Sequence, residues 1–420
     1  MTTLIEINGL SYRPENLPHE KHDILHGINL EIKAGSFVAL IGPNGSGKTT
    51  LIKQIGGLLP PTSGQVILNG WDTQDSDQRH HLRSLIGMVF QNPSDQIVAS
   101  TVEEDIAFGL ENANLPTALI RKQVADQLAY VGLSKDATRP PHLLSGGQIQ
   151  KVALAGVLAR EPGILLFDEP TSMLDPLSRK SFLEQVKILH KQGKTIIFVT
   201  HHMDEAFQAD QIIVLQAGQI KMQGSPSEIF SQREILYEIG LEPPGAALLA
   251  DKLQLLGWDL PEDVITVEDL LPFLPSYENT NSGEPDTIPD KGQEPLIVID
   301  TIHYTYLEDT PLAKPALQGA SLSVSGGEIH GLAGSNGSGK STLLQHVNGI
   351  LRPSQGTVRI GDLAVEKEET LLRDVIKKVG LVFQSPESQF FEVFVGDEIA
   401  YGPKQFALDR IRDRVKTAMD

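Results

Sequence analysis

Apolar residues in this chain are bunched, and the bunches are of two kinds. Short unbroken runs at 37–41 (FVALI), 164–167 (ILLF) and 195–199 (TIIFV) predict strands covered on both faces, as parallel sheets require. Spaced apolar positions predict helices over 50–59 (TLIKQIGGLL), 143–160 (LLSGGQIQKVALAGVLAR) and 247–257 (ALLADKLQLLG). Each strand run ends in residues that can do chemistry. FVALI opens into GPNGSGKT, ILLF into Asp168 and Glu169, and TIIFV into Thr200, His201 and His202.

The pattern then repeats. Lys48 and Lys340 stand 292 positions apart, as do Tyr12 and Tyr304, and Gly64 and Gly356. From Gln91 and Gln384 the offset is 293, and VFQNPSDQ matches VFQSPESQ. A period this long marks a duplicated domain and not a short solenoid repeat. The boundaries that follow are a first domain over 1–240, a small subdomain over 241–275, a linker over 276–294 and a second domain over 295–420. The linker, SYENTNSGEPDTIPDKGQE, is acidic and rich in Pro, Gly, Ser and Asn, too polar to build a core. The second copy is the shorter one. Spacings taken from the first copy place counterparts of Ser145, Glu169 and His201 at about 438, 462 and 494, beyond Asp420. The chain is therefore expected to be a fragment of a longer fused protein, to pair through the first halves of two chains, or to carry a second half that binds without turnover.

Charge and composition narrow the function. The 420 residues carry 35 Lys+Arg against 54 Asp+Glu, a net charge of −19, which argues against broad nucleic-acid binding. Cysteine is absent, so disulfides and thiolate metal sites are excluded. No apolar run approaches the roughly 18 residues of a membrane span, and the amino terminus lacks the pattern of a signal peptide. The expectation is a soluble protein that would act at a membrane only as a peripheral subunit.

The stretch Gly42, Pro43, Asn44, Gly45, Ser46, Gly47, Lys48, Thr49 fits G-x-x-x-x-G-K-[ST] between a strand and a helix. Its backbone N–H groups are expected to cradle phosphates, with Lys48 on the β and γ phosphates and Thr49 on Mg²⁺. Asp168 and Glu169, at the carboxyl end of a buried strand, suit a Mg²⁺ contact and a general base. His201, directly after its strand, is placed for a γ-phosphate. Leu144, Ser145, Gly146, Gly147 and Gln148 open a helix whose free N–H groups make a second anion site. One γ-phosphate does not need two such sites in one domain, so the geometry expected is a site shared between two domains.

Together these motifs resemble the ATP-binding-cassette (ABC) ATPases, over about 1–275 and again over 295–420. The resemblance implies an α/β P-loop NTPase fold: a RecA-like parallel sheet core, a helical signature subdomain and an antiparallel β subdomain, duplicated in tandem. It implies ATP and Mg²⁺ as cofactors, with Thr50 extending the first phosphate loop. Gly334, Ser335, Asn336, Gly337, Ser338, Gly339, Lys340, Ser341 and Thr342 form the second loop, and Ser341 is its Mg²⁺ contact. Gln91 and Gln384 would sense Mg²⁺ and the γ-phosphate and couple to a membrane subunit, while Asp175 would communicate across a dimer. An aromatic that stacks on adenine falls on Tyr306 in the second half. In the first half Pro14 takes that position, and Tyr12 is the nearby ring.

Within that superfamily, FQNPSDQIVASTVEEDIAFGLEN and FQSPESQFFEVFVGDEIAYGPK resemble the energy-coupling-factor ATPases that drive vitamin and cobalt or nickel uptake. The resemblance implies an ATP hydrolase on the cytoplasmic face of the cell membrane. Its partners would be a transmembrane coupling subunit, a separate substrate-binding membrane protein and a second cassette, supplied by another chain or by the fused half, with no nucleic acid. Two other readings exist. A translation-associated tandem cassette would join its halves by a basic helical linker, where this linker is acidic. A regulatory remnant would bind nucleotide without turnover.

Overall fold

The structure, a computed structural model, describes residues 2–14, 23–75, 77–261, 263–275, 294–310, 313–367, 369–383 and 389–420. The linker expected at 276–294 lies outside these residues except for Glu294, and so does Gln384. The chain divides into two compact units, Met1–Ser282 and Gly283–Asp420.

The strands of the first unit are β1 (Thr3–Tyr12), β2 (Leu25–Lys33), β3 (Phe37–Ile41), β4 (Ser63–Leu68), β5 (Trp71–Asp72), β6 (Ile86–Val89), β7 (Ile164–Asp168), β8 (Thr195–Val199), β9 (Gln211–Gln216) and β10 (Gln219–Gly224). They form two sheets. An antiparallel one runs β2-β1-β4-β5, with Ile5 opposite Ile32 and Leu68. The other runs β10-β9-β3-β8-β7-β6, parallel throughout except for the β9–β10 edge pair.

The unbroken apolar runs are explained by the two faces of this second sheet. Phe37, Ala39, Ile41, Leu165, Phe167, Ile196 and Phe198 point to one side, into a core shared with helices Gly146–Leu158 and Pro176–Lys191. Val38, Leu40, Ile164, Leu166, Ile197 and Val199 point to the other, against helix Lys48–Ile55 and the antiparallel sheet. Alternation along a strand thus fills two cores, and no position is left for a polar residue. A third core joins helices Val102–Asn112, Thr117–Val131 and Gly146–Leu158. After β10 the chain packs Leu236, Ile239, Leu241 and Ile265 onto the first core. Ala250, Leu260, Val264 and Leu270 of the same stretch form a satellite cluster. The segment expected as an appended subdomain is therefore partly continuous with the main body.

The second unit repeats the antiparallel sheet as β11 (Pro295–Tyr306), β12 (Lys314–Ser325), β13 (Gln355–Ile360) and β14 (Leu363–Ala364), in the order β12-β11-β13-β14. Helix Lys340–Val347 packs on it through Leu343 and Val347. The parallel sheet is not repeated among the described residues. The run at 329–333 (IHGLA), counterpart of β3, forms no strand, and Ile329 is fully exposed where Phe37 is 2% exposed. On helix Lys340–Val347, Leu344 is 48% exposed where its counterpart Ile52 is at 0%. The cause is the absence of neighbours: β3 is held by ladders to β8 on one side and β9 on the other. Among its described residues the second unit has no strand matching β7, β8 or β9. Hydrogen exchange read by mass spectrometry should show amides 38–41 protected about a hundredfold or more over amides 330–333. Equal protection would mean that the second unit does pair this segment.

Candidate functional site

The loop from β3 into helix Lys48–Ile55 is shaped by glycines at two positions. Gly42 has φ 155°, and a Cβ there would lie 2.2 Å from the carbonyl oxygen of Leu215 on β9. Gly47, with φ 100°, caps the helix without any side-chain acceptor, which leaves the first helical N–H groups turned toward the loop's hollow. Lys48 is buried and folds back, its Nζ donating to the carbonyls of Gly42 at 2.8 Å and Pro43 at 3.0 Å. Burial pulls its pKa down, against the opposing pull of Glu169 and Asp168. Ser46 Oγ is buried on the Gly42 side of the loop, 2.8 Å from where a Cβ on Gly42 would stand, and does not line the hollow.

Sheet pairing brings the other residues here. Asp168 ends β7, buried, and accepts a 3.0 Å bond from the Thr49 hydroxyl. Burial raises its carboxyl pKa, and the Thr49 bond partly offsets this. Glu169 has φ 47°, and its N–H donates to the carbonyl of Val199 on β8 at 3.1 Å. Its Oε2 accepts from Gln91 Nε2 at 3.0 Å and lies 3.4 Å from His201 Nδ1. One carboxylate oxygen thus gathers residues from the ends of three strands. A cavity of about 700 Å³ is lined by Ile24, Asn44, Gly45, Gly47, Lys48, Thr49, Thr50, Gln91, Glu169 and His201.

These residues fit a nucleotide triphosphate and a divalent cation. The amide-lined hollow and the Lys48 ammonium suit phosphate oxygens. The Thr49–Asp168 oxygen pair suits Mg²⁺, which takes one or two protein oxygens and fills its remaining positions with water and phosphate. Tyr12 is not brought in: it packs against the core below the sheet and does not line the cavity.

The residues Leu144 to Gln148 do not line this cavity either. Ser145 caps helix Gly146–Leu158, accepting from Gln148 N at 3.3 Å while Gln148 Oε1 accepts from Ser145 N at 3.0 Å. This reciprocal box uses one of the N–H groups that the sequence reading left free and leaves the amides of Gly146 and Gly147. Asp175 caps the next helix through Leu177 N and Ser178 N. Ser178 Oγ lies 3.2 Å from where a Cβ on Gly147 would stand, so the two helix starts adjoin.

In the second unit the loop is reproduced without its surroundings. Gly334, Gly337 and Gly339 keep positive φ of 158°, 80° and 94°. Ser338 N donates to Ser335 O at 3.2 Å, as Ser46 N does to Pro43 O. Lys340 Nζ donates to the carbonyls of Gly334 and Ser335, both at 2.7 Å. Tyr306 stands 3.1 Å, hydroxyl to hydroxyl, from Thr342. Gly334, Ser335, Asn336, Gly337 and Ser338 are exposed, as is Ser341, and no carboxylate takes the place of Asp168 beside Ser341 among the described residues.

Sequence reasoning missed a buried group beside the first site. Glu205 accepts from Thr171 Oγ1 at 3.0 Å and Thr200 Oγ1 at 2.6 Å, and its other oxygen faces Arg179 Nε at 3.7 Å. Nothing in MDEA distinguishes this carboxylate from its exposed neighbours.

Comparison with known proteins follows the same division. The ABC transporter family matches residues 25–172 and 317–419. The chain is 42% identical over 275 residues to the energy-coupling factor transporter ATP-binding protein EcfA1 of Caldanaerobacter subterraneus subsp. tengcongensis, covering 65% of this chain and 99% of that relative. It is 47% identical over 259 residues to EcfA of Methanosarcina acetivorans, covering 61% of this chain and 92% of that relative. Among solved structures it is similar to cbiO1 of Clostridium perfringens, part of the ABC transporter complex cbiONQ. The TM-score there is 0.52 at 33% identity, over 61% of this chain and 99% of that one. It is also similar to the cassette MJ0796, seen as a dimer in a post-hydrolysis state bound to ADP and Pi, with TM-score 0.50, 32% identity, 53% of this chain and 99% of that one.

Two substitutions separate the loop's causes. Gly42→Ala drives a Cβ into backbone and should cost at least about 3 kcal/mol in urea unfolding of the first unit. Gly45→Ala meets no atom within 4 Å and bears only its positive φ, about 1–2 kcal/mol. Equal costs would reject the close approach of Leu215.

Proposed function

The chain belongs to the ABC transporter family, and from that premise we propose that it is the ATP-hydrolysing, energy-coupling subunit of an importer of the energy-coupling-factor type. The observation that carries the mechanism is the convergence of Gln91 and His201 on one oxygen of Glu169, beside a lysine held by carbonyls. ATP entering the hollow offers phosphate oxygens to Lys48 in exchange for Gly42 and Pro43, so the lysine changes partners without being exposed. Glu169 is the general base for the attacking water, with Gln91 and His201 setting its orientation. His201 also donates to the γ-phosphate, where charge is already present. Mg²⁺, held by Thr49 and Asp168 with Gln91 at its edge, would supply charge neutralisation of the β and γ phosphates. Thr50 and the amides of 43–47 complete the grip.

The helix tip at Ser145–Gln148 serves a different cassette's nucleotide. Its distance from its own cavity supports this reading, and Asp175 at the adjoining cap is the residue that reports pairing to the other side. The second unit's loop, with Lys340, Ser341, Thr342, Tyr306 and Gln384, binds nucleotide. Its productive partner is a second cassette, supplied by another chain or by the fused half. The membrane partners are a transmembrane coupling subunit engaged by the loops after Gln91 and Gln384, and a separate substrate-binding membrane protein. No helix among the described residues is long and apolar enough to cross a membrane, and the chain sits peripherally on the cytoplasmic face through those partners.

Glu169→Gln should keep ATP affinity within about twofold and lose turnover by roughly 10²- to 10⁴-fold. Nucleotide titration and phosphate release measure the two separately, and unchanged hydrolysis would remove Glu169 from the role. Lys48→Ala should weaken ATP binding itself by about tenfold or more. Retained affinity there would count against the phosphate grip.

A further inference from the structure

The buried carboxylate of Glu205 touches neither the cavity's phosphate hollow nor Glu169, yet it ties together three segments that the site depends on. Its Oε2 accepts from Thr171, two residues after Glu169, and from Thr200, the residue before His201. The Thr200 hydroxyl also accepts from the N–H of His202 at 3.0 Å, so the backbone is fastened on both sides of His201. Its Oε1 faces Arg179, which lies one turn into the helix capped by Asp175.

That last contact is unfinished. Arg179 Nε and Glu205 Oε1 stand 3.7 Å apart, and neither atom has a hydrogen-bond partner among the described residues. A charge-assisted bond of this kind closes to about 2.7–2.9 Å. Leaving a buried carboxylate oxygen unbonded is costly, so a movement of under about 1 Å, of the Arg179 side chain or of the helix that carries it, that completes the bond is favoured. The two Thr bonds hold Glu205 to the chain around Glu169 and His201, and the free oxygen is aimed at the helix that follows Asp175.

We infer that Glu205 is a positioning residue for His201, and that Arg179 is the residue through which the Asp175-capped helix acts on it. Pairing with a second cassette moves that helix at its start, and completion of the Arg179–Glu205 bond draws the Thr200–His202 turn into register with Glu169. The inference rests on the reading of the first unit as an ATPase and adds a route by which pairing reaches the histidine.

The test uses the full chain with its partners and three variants: Glu205→Gln, which keeps an acceptor for both threonines but removes the charge, Arg179→Ala, and the pair together. Each single change should lower kcat about tenfold while ATP affinity stays within about twofold, and the double variant should be no slower than the slower single. The imidazole resonance of His201 should move in both single variants, while that of exposed His142 stays in place. Wild-type kcat in either variant would overturn the inference. So would losses that multiply in the double variant, or ATP affinity falling in step with kcat. Absence of turnover in the wild type would instead reject the ATPase reading. The His201 resonance then decides alone, and one unmoved by Glu205→Gln overturns the positioning role.

Discussion

The structure depends on one pairing constraint, the pair of parallel ladders that hold β3 between β8 and β9. Those ladders fix the height at which β3 ends, and therefore where the loop at 42–49 begins. The same register sets Asp168 level with Val199 and brings the turn of Thr200 beside it. Lysine, carboxylates and histidine arrive together because neighbouring parallel strands end together on one edge. The second unit shows the converse within a single chain. It keeps the glycine geometry and the lysine's carbonyl bonds, yet its segment at 329–333 lies open. A phosphate loop is a local object; an acid–base site is a property of the sheet.

Much of this was legible beforehand, for a physical reason. Runs such as FVALI and TIIFV, short and bounded by Gly and polar residues, read as strands with two covered faces, and parallel strands present the residues that end them on one rim. Glycines at 42 and 47 announced a backbone conformation that side chains forbid. Other features were not legible. Tyr12 read as a ring near a nucleotide; in the structure it is partly buried against the second core and does not line the cavity. Ser145 and Gln148 read as free helix-end donors, and the capping box between them becomes visible only with side chains placed. Glu205 carried no mark at all, because its burial is decided by Thr171 and Thr200, which lie far from it in sequence or on another turn.

Electrostatics reinforce the geometry. The chain carries a net charge of −19 and sets Asp168 and Glu169 near the cavity that is to receive a triphosphate. Repulsion is met locally. Lys48 is buried against loop carbonyls, the Asp168 carboxylate is stabilised by the Thr49 hydroxyl, and the amide hollow supplies dipoles that need no counterion. Each of these groups is already oriented without ligand, so binding rearranges partners and spares most of the cost of ordering side chains.

The capping box at Ser145 carries a kinetic meaning. A helix tip that has spent one amide on its own serine keeps the two glycine N–H groups for an outside acceptor. On the proposed reading, what it meets there is a nucleotide already seated in another cassette. On that reading loading precedes engagement, which gives the cycle a direction before any bond is broken.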